Sequence, residues 1–473
     1  MLKSVMALLF PLITFPYASR ILLPEGIGRV NFANNIVSYF TMLAGLGIGT
    51  YAAREAARRR DKKEELSQFT KEIFLINLLS TVISYLLFLV CFFFIPKLST
   101  YRPLLLVSSM SVIFSFLNIG WLYAAEEDFE YPTIRSIVFQ ILSLFILFFF
   151  VKTPKDCIQY ISMGVFASVG ADICNFIYSN KYISWHQKCQ LNLKQHLKPI
   201  FVFFGMTLVV SLYTMLDTSM LGFLSNDTQV GFYTAATKLS RIVISVITSI
   251  TGVLLPRFSY YAVTKQNDEL WKLFNKSFKY STYLSLPSIA GLCLLSRPLM
   301  LLLSGQAYLP AVFTMQVISP IILLISLSGL IGTQLFASIG KEKLTLLSVS
   351  IGAVVNFTLN SLLIPRYGAN GAAIATVFAE SSVTIFQMFC AKKYINIKEQ
   401  FVSFLQSAGA CIVMAVCVFV VYKIFKTTFI QTLISVITGC IVYAAVTLLL
   451  KNEIAIEIAK IFKTKFFYKR AGR

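Results

Sequence analysis

The chain has 473 residues, 57% hydrophobic, 14% aromatic and only 13% charged, a balance that excludes a water-soluble domain. Its net charge of +21 would suit nucleic acid in a soluble protein, but the basic residues lie in short loops between apolar runs, so topology accounts for the charge and no nucleic-acid partner is expected. Nine cysteines (Cys91, Cys157, Cys174, Cys189, Cys293, Cys390, Cys411, Cys417 and Cys440) form no CxxC pair and fall mostly in apolar runs, which excludes a disulfide frame or metal site and leaves reduced packing residues.

Fourteen apolar stretches of bilayer-crossing length follow one another along the chain. The first, 4–23, is apolar from Met1 to Leu12 and lacks a small-residue cleavage pattern, so it reads as a span and not a signal peptide. It carries Pro11 and Pro16, and Arg20 near its outer end. The second, 31–53, contains Gly45, Gly47 and Gly49 and is closed by Arg54, then by Arg58, Arg59, Arg60, Lys62 and Lys63. Prolines and glycines inside spans are tolerated where freed backbone groups line a cavity or are covered by neighbours, and in transporters they mark pathways. Spans at 71–95, 104–125, 133–151 and 157–180 follow, with the acidic loop Glu126, Glu127, Asp128 and Glu130 between the fourth and fifth.

A basic linker, 183–199, holds Trp185 and both histidines, His186 and His196, and reads as a contact with inner-leaflet lipid head groups. Spans 200–223 and 229–255 come next, with Asp217 inside the former and Lys238 and Arg241 deep in the latter, closed by Arg257. The chain continues with spans 278–303, 309–336, 344–365 and 371–391, the last holding Glu380, then with 401–422 and 428–450. In the tail, Ile454 to Tyr468 alternates apolar and basic residues at roughly helical spacing, as in a helix lying on a membrane surface.

With the amino terminus inside, roughly 30 of the 42 Lys and Arg fall in cytoplasmic segments, a bias that places both termini in the cytoplasm. The acidic loop runs against it, although acidic residues weigh little in that rule. No extramembrane segment exceeds about 25 residues, so a separate catalytic domain has nowhere to fold. Glu25-Gly26-Ile27-Gly28 opens the second span as Thr228-Gln229-Val230-Gly231 opens the eighth, and Arg54 and Arg257 repeat at the same offset. The expected architecture is therefore an all-α integral membrane protein of about 14 transmembrane helices. Residues 1–182 and 200–391 form two six-helix lobes related by a pseudo-twofold along the membrane normal, joined by the linker 183–199. Two further helices, 392–450, and a basic amphipathic tail, 451–473, complete it.

Charge inside a membrane protein points to something polar that is held or moved. Arg20 reads equally as a guanidinium at the interface, snorkelling to water, or as one aimed inward where it suits bidentate phosphate binding. The plainer reading of Arg54 and Arg257 is as positive-inside anchors; their repeated placement would set one at the inner mouth of each lobe. Lys238 and Arg241, three apart, share a helix face and would each cost about 2.5–3.5 kcal/mol toward lipid, so they are expected to face protein interior or water. Asp217 is at a depth to pair with Lys238, which would be a structural salt bridge, and Glu380 could serve a proton or cation, or a nearby Lys or Arg. Asn31, Asn34, Asn35, Asn118, Asn175, Asn356 and Asn360 read first as interhelical hydrogen-bonding groups. No HExxH, phosphate loop or nucleophile elbow is present, so neither enzymatic chemistry nor a cofactor is expected.

The strings Phe10-Pro11-Leu12-Ile13-Thr14-Phe15-Pro16-Tyr17 through Arg20, Pro24-Glu25-Gly26-Ile27-Gly28-Arg29-Val30-Asn31-Phe32-Ala33, Asp217-Thr218-Ser219-Met220-Leu221-Gly222 and Ile364-Pro365-Arg366-Tyr367-Gly368-Ala369-Asn370-Gly371-Ala372-Ala373-Ile374-Ala375-Thr376 carry a family likeness. The chain resembles, over essentially its whole length, the bacterial lipid-linked oligosaccharide flippases, the O-antigen and capsule repeat-unit exporters of the multidrug/oligosaccharidyl-lipid/polysaccharide exporter superfamily. The resemblance implies translocation of an undecaprenyl-diphosphate-linked oligosaccharide from the inner to the outer leaflet of a bacterial plasma membrane, by alternating access and without covalent chemistry. It implies membrane lipids, a polysaccharide polymerase and a chain-length regulator as partners. On that reading Arg20, Arg54, Lys238, Arg241 and Arg257 attract the diphosphate, and Asp217 and Glu380 couple an ion or gate. A cation-coupled multidrug exporter of the same superfamily would favour acidic and aromatic walls, against the excess of embedded Arg and Lys. A membrane glycosyltransferase or polymerase would carry a large outside loop with paired catalytic groups, which this chain lacks.

Overall fold

The computed structural model describes residues 2–186, 190–425 and 428–461, without the side chains of residues 2–9 and 206. Regular structure among the described residues is helical. Among the described residues eleven helices are long and apolar enough to cross a membrane, or 12 if one pair bent by 77°, Asn267–Leu294 with Ser296–Ser304, makes a single span. Two of the eleven contain a backbone break, at Leu23 and at Gly368, so each supplies two segments. The protein is thus an all-α membrane protein with about the fourteen segments that the apolar runs predict. By contacts the chain divides into two compact units, Met1–Thr234 and Ala235–Arg473.

The first unit comprises α1 (Leu2–Gly45), α2 (Ile48–Ala57), α3 (Lys63–Phe94), α4 (Arg102–Ile113), α5 (Gly120–Ala125), α6 (Glu130–Phe150), α7 (Cys157–Tyr178), α8 (Lys194–Leu224) and the first residues of α9 (Asp227–Gly252). Helix α1 is the hub, packed by α3, α4, α6, α7 and α8. Its two limbs meet at Leu23, whose φ of 61° is left-handed; Pro24, with φ already fixed for a helix, then starts the second limb. The second span therefore begins well before the expected residue 31 and ends at Gly45. Leu46 and Gly47 (φ 67°) break it, and Arg54 lies on a separate helix, α2, not at the end of that span. Gly47 is needed for a close crossing as well as for its φ, since a Cβ there would sit 2.8 Å from the backbone nitrogen of Phe204 on α8.

The repeat in the sequence is a repeat in anatomy. As α1 is followed by a break and the short α2 with Arg54, so α9 is followed by a break and the short α10 (Leu255–Val263) with Arg257. The two opening glycines also meet. A Cβ on Gly28 would lie 1.7 Å from the carbonyl oxygen of Asp227, and one on Gly231 would lie 2.0 Å from that of Pro24, a reciprocal contact of residues related by one offset.

The second unit contains the remainder of α9, then α10, α11 (Asn267–Leu294), α12 (Ser296–Ser304), α13 (Ala311–Ile318), α14 (Ile321–Gly329) continuing as a π-turn over Leu330–Phe336, α15 (Glu342–Ala391), α16 (Ile397–Ile424) and α17 (Thr428–Leu449). Helix α11 packs against α14 and α16, α15 against α13 and α14, and α17 against α16 and α12. The limbs of α15 turn at Gly368 (φ 52°), and Gly371 allows them to close, because a Cβ there would meet the Leu363 carbonyl at 2.5 Å. The expected span at 104–125 is instead α4, a 3-10 turn and α5, and that at 309–336 is interrupted at Ser319–Pro320.

Membrane packing explains which faces are buried. Helix α3 exposes Leu79, Val82, Ile83, Leu86, Leu87, Val90 and Phe93 while burying Ser80, Thr81 and Ser84. Small hydroxylated residues let backbones approach, and their hydroxyls bond across helices, Ser80 Oγ to Ala44 O at 2.5 Å and Ser84 Oγ to Phe40 O at 2.6 Å. Helices α16 and α17 follow the same inverted pattern, burying Ser403, Ser407, Thr432, Ser435 and Thr447.

Candidate functional site

The five cations singled out by the sequence divide between the units. Arg20, on the first limb of α1, and Arg54, on α2, belong to the first unit; Lys238 and Arg241, on α9, and Arg257, on α10, belong to the second. Arg20, Arg54, Arg241 and Arg257 are exposed and Lys238 is half-buried. An exposed guanidinium on a helix apolar enough to cross a membrane must meet water or head groups, not hydrocarbon. Arg54 has its Nε 3.6 Å from Glu55 Oε1 and its guanidinium 5.3 Å from the Phe203 ring centre. Both proposed carboxylates are buried, Asp217 at 5% and Glu380 at 7% exposure. The Tyr233 hydroxyl donates to Asp217 Oδ2 at 2.5 Å. Close by, Tyr39, Ser219 and Asn35 form a chain that ends with Asn35 Nδ2 donating to the Met215 carbonyl at 3.2 Å, interhelical bonding of the kind expected for embedded asparagines.

At one end of the first unit the structure assembles polar groups that the sequence left apart. Buried Glu55 accepts from Arg58 and Arg59, each at 2.9 Å. His196, expected in the linker, stands instead in the first turn of α8, 3% exposed, with Glu72 of α3 at 2%. The Glu72 carboxylate accepts His196 Nε2–H at 2.7 Å, the Asn192 backbone N–H at 2.8 Å and the amides of Gln68 and Gln195 at 3.2 Å. On the other side of the ring, His196 Nδ1 and the Tyr51 hydroxyl are hydrogen-bonded at 2.7 Å. These bonds tie α2, α3 and α8 together. Trp185 is committed to the protein rather than to lipid, packed on Phe74 and Phe176 with ring centres 5.2 and 4.9 Å away.

Two acids of the loop that opposed the charge bias, Glu127 and Asp128, are paired. Glu127 accepts from Arg60 at 2.9 Å, and Asp128 accepts from the hydroxyls of Tyr182 at 2.6 Å and Tyr178 at 3.2 Å, with Lys181 Nζ at 3.6 Å. The Tyr182 hydroxyl, foremost, holds the Asp128 carboxyl below the usual carboxylate range, helped by the Tyr131 N–H, Tyr178 and Lys181 against the opposing effect of burial. Where α1 restarts and α9 begins, Asp227 accepts from Tyr101 at 2.5 Å and from Arg29 at 3.2 Å, and Arg29 also pairs with Glu25 at 2.7 Å.

In the second unit a further embedded cation, Lys279 of α11, is held by Glu399 at 2.8 Å and Glu453 at 2.7 Å. Lys276 pairs with Glu457 at 2.5 Å, so the start of the amphipathic tail, described as far as Ile461, is tied to α11; the rest of its expected helix lies outside the described residues. A cavity of about 660 Å³ opens beside these pairs, lined by Trp271, Lys272, Lys393 and Tyr394 among others. The signal for Lys279 was in the sequence, a lysine opening an apolar run; its partners were not, because Glu399 and Glu453 lie over a hundred residues away.

Comparison with known proteins gives a consistent picture. A family model described as "Polysaccharide biosynthesis protein" matches residues 1–262. The "Putative O-antigen transporter" of Escherichia coli (strain K12) is 26% identical over 386 residues, 80% of this chain and 91% of that protein. Among solved structures, "Lipid II flippase MurJ, inward closed conformation" superposes with a TM-score of 0.78 at 18% identity, covering 96% of this chain and 98% of that one. An inward-facing multidrug resistance MATE family transporter of the MOP superfamily gives 0.63 at 14% identity, over 82% of this chain and 94% of its own. At these identities the two structures bear on the fold alone.

Proposed function

The chain belongs to the polysaccharide biosynthesis protein family, as its sequence strings implied, and from that premise we propose that it is a flippase for lipid-linked oligosaccharides. Its cargo on this reading is a repeat unit on undecaprenyl diphosphate, carried from the cytoplasmic to the outer leaflet of the bacterial plasma membrane by alternating access. Both termini are cytoplasmic, and the exported units pass to a polymerase and chain-length regulator. The name of the Escherichia coli relative supports this reading. The observation that carries it is physical: Arg241 is exposed on α9, a helix whose apolar length suits a membrane span, beside half-buried Lys238 on the same face. Two cations at membrane depth require water and favour an anion. A diphosphate answers both demands, and guanidinium groups bind it in bidentate fashion.

Arg20, Arg54 and Arg257 complete the proposed set of diphosphate-attracting cations, each unit contributing its own. Asp217 and Glu380 are assigned ion coupling or gating. The test is substitution in a producing strain. Arg241→Ala and Arg20→Ala proteins, present at normal levels, should lose most surface polysaccharide and accumulate lipid-linked intermediates inside. Full surface polysaccharide from Arg241→Ala would remove the cationic role.

A further inference from the structure

A cavity of about 430 Å³ lies within the first unit, lined by Asn34, Ser38, Thr41 and Met42 from the second limb of α1, Ser111 from α4, and Met215 from α8, with no charged residue among the described residues of its wall. Asn34, Ser38 and Thr41 recur at helical spacing, so one stripe of α1 presents them together. Their bonding state is informative. The Ser38 hydroxyl donates to the Asn34 carbonyl at 2.7 Å and the Thr41 hydroxyl to that of Val37 at 3.1 Å, which leaves both oxygens with lone pairs to accept. The Asn34 amide is exposed and, with the half-buried Ser111 hydroxyl, has no hydrogen-bond partner among the described residues. An unpartnered amide in the middle of a spanning helix is costly toward lipid and belongs against a wetted space or a ligand.

We propose that this cavity is a saccharide subsite that holds uncharged sugar units of the cargo. The proposal rests on the flippase reading above and deepens it. Sugar hydroxyls need both donors and acceptors at close spacing: the Asn34 amide donates and accepts, while Ser38 and Thr41 accept. A pyranose also has apolar C–H faces, and Met42 and Met215 provide the matching wall. A wall without cations cannot hold the diphosphate, so this pocket and the arginines divide the cargo by chemistry, neutral sugar here and anionic linkage elsewhere. Its volume lies within the range of small-ligand sites, enough for one or two sugar rings.

Native mass spectrometry of the purified full chain tests this with two probes: undecaprenyl diphosphate alone, and the lipid-linked saccharide pool extracted from cells lacking this gene. The wild-type protein should hold the saccharide-bearing lipids about tenfold more tightly than the bare carrier. The Asn34→Ala/Ser38→Ala/Ser111→Ala variant should keep its affinity for the bare carrier and lose that preference. The single Asn34→Ala, at an exposed position, keeps the question answerable if the triple variant melts early. A preference that survives in well-folded variants overturns the subsite while leaving the flippase reading intact. Failure of the wild-type protein to bind either probe overturns both.

Discussion

His196 and Glu72 show how a residue gains its role from what surrounds it. In the sequence His196 is one of two histidines in a basic linker, and Glu72 an acid at the margin of an apolar run. Only tertiary structure puts them 2.7 Å apart in a dry site with Tyr51 behind, and no periodicity or spacing foretold it. Removing one partner of a buried pair leaves the other desolvated, so His196→Phe should destabilise the protein by about 3 kcal/mol, while His196→Gln, which keeps a donor, should cost less. Thermal melting in detergent reads the difference, and a wild-type melting curve for His196→Phe would refute the account. Asp128 adds a pH-dependent case. Its carboxyl is held below its unfolded value, so its contribution is fully present above the unfolded pKa and is lost as pH falls through the folded one. Asp128→Asn should therefore be less stable than wild type by about 1–2 kcal/mol at pH 7, where charged hydrogen bonds to Tyr182 and Tyr178 are lost, and the gap should narrow progressively in melting curves as pH falls below the ordinary aspartate value of about 3.9.

At the scale of elements, the reciprocal contact at Gly28 and Gly231 decides how α1 and α9 start. Any side chain there overlaps a backbone carbonyl, which a rotamer change cannot relieve, so Gly231→Val should cost about 3 kcal/mol or more and reduce the folded yield. Gly49 of α2 is the control: a Cβ there meets nothing within 4 Å, so Gly49→Ala should be neutral or stabilising by about 0.5–1 kcal/mol. Folded yield on size-exclusion chromatography separates the two outcomes. The same glycines mark the limit of what was legible. Helices α6, α7, α16 and α17 match the apolar runs to within a few residues, because hydropathy alone sets a straight span. The second span was started at residue 31, too late, because hydropathy does not reveal that Pro24 opens a helix and Gly28 permits a helix crossing. The placement of Arg54 and Arg257 at matching offsets was legible; that each rides a separate short helix was not, since a break of two residues leaves no mark in hydropathy.

For the whole molecule, the strongest global signal is charge asymmetry, and the structure says how it is organised in the first unit. Arg58, Arg59, Arg60 and Lys181 gather at the end where α2 meets α3 and α7 meets the linker, and there they neutralise Glu55, Glu127 and Asp128. The acidic loop belongs to this same end, where Glu127 pairs with Arg60 and Asp128 with Lys181. The opposite end, where α6 turns into α7, carries Lys152 and Lys155, with Asp156 accepting from the backbone N–H groups of Lys152 at 2.9 Å and Thr153 at 2.7 Å. On the proposed topology, the positive-inside rule would put the first end in the cytoplasm, and fourteen crossings would bring the carboxyl terminus to the same side. Alkaline phosphatase, active only outside the cytoplasm, should thus be inactive when fused after Lys63 and active when fused after Lys155, with a fluorescent protein at the carboxyl terminus glowing in living cells. The reverse pattern would turn the molecule over and send the proposed cargo the wrong way, since the cation-rich end would then face the leaflet in which no new repeat units are made.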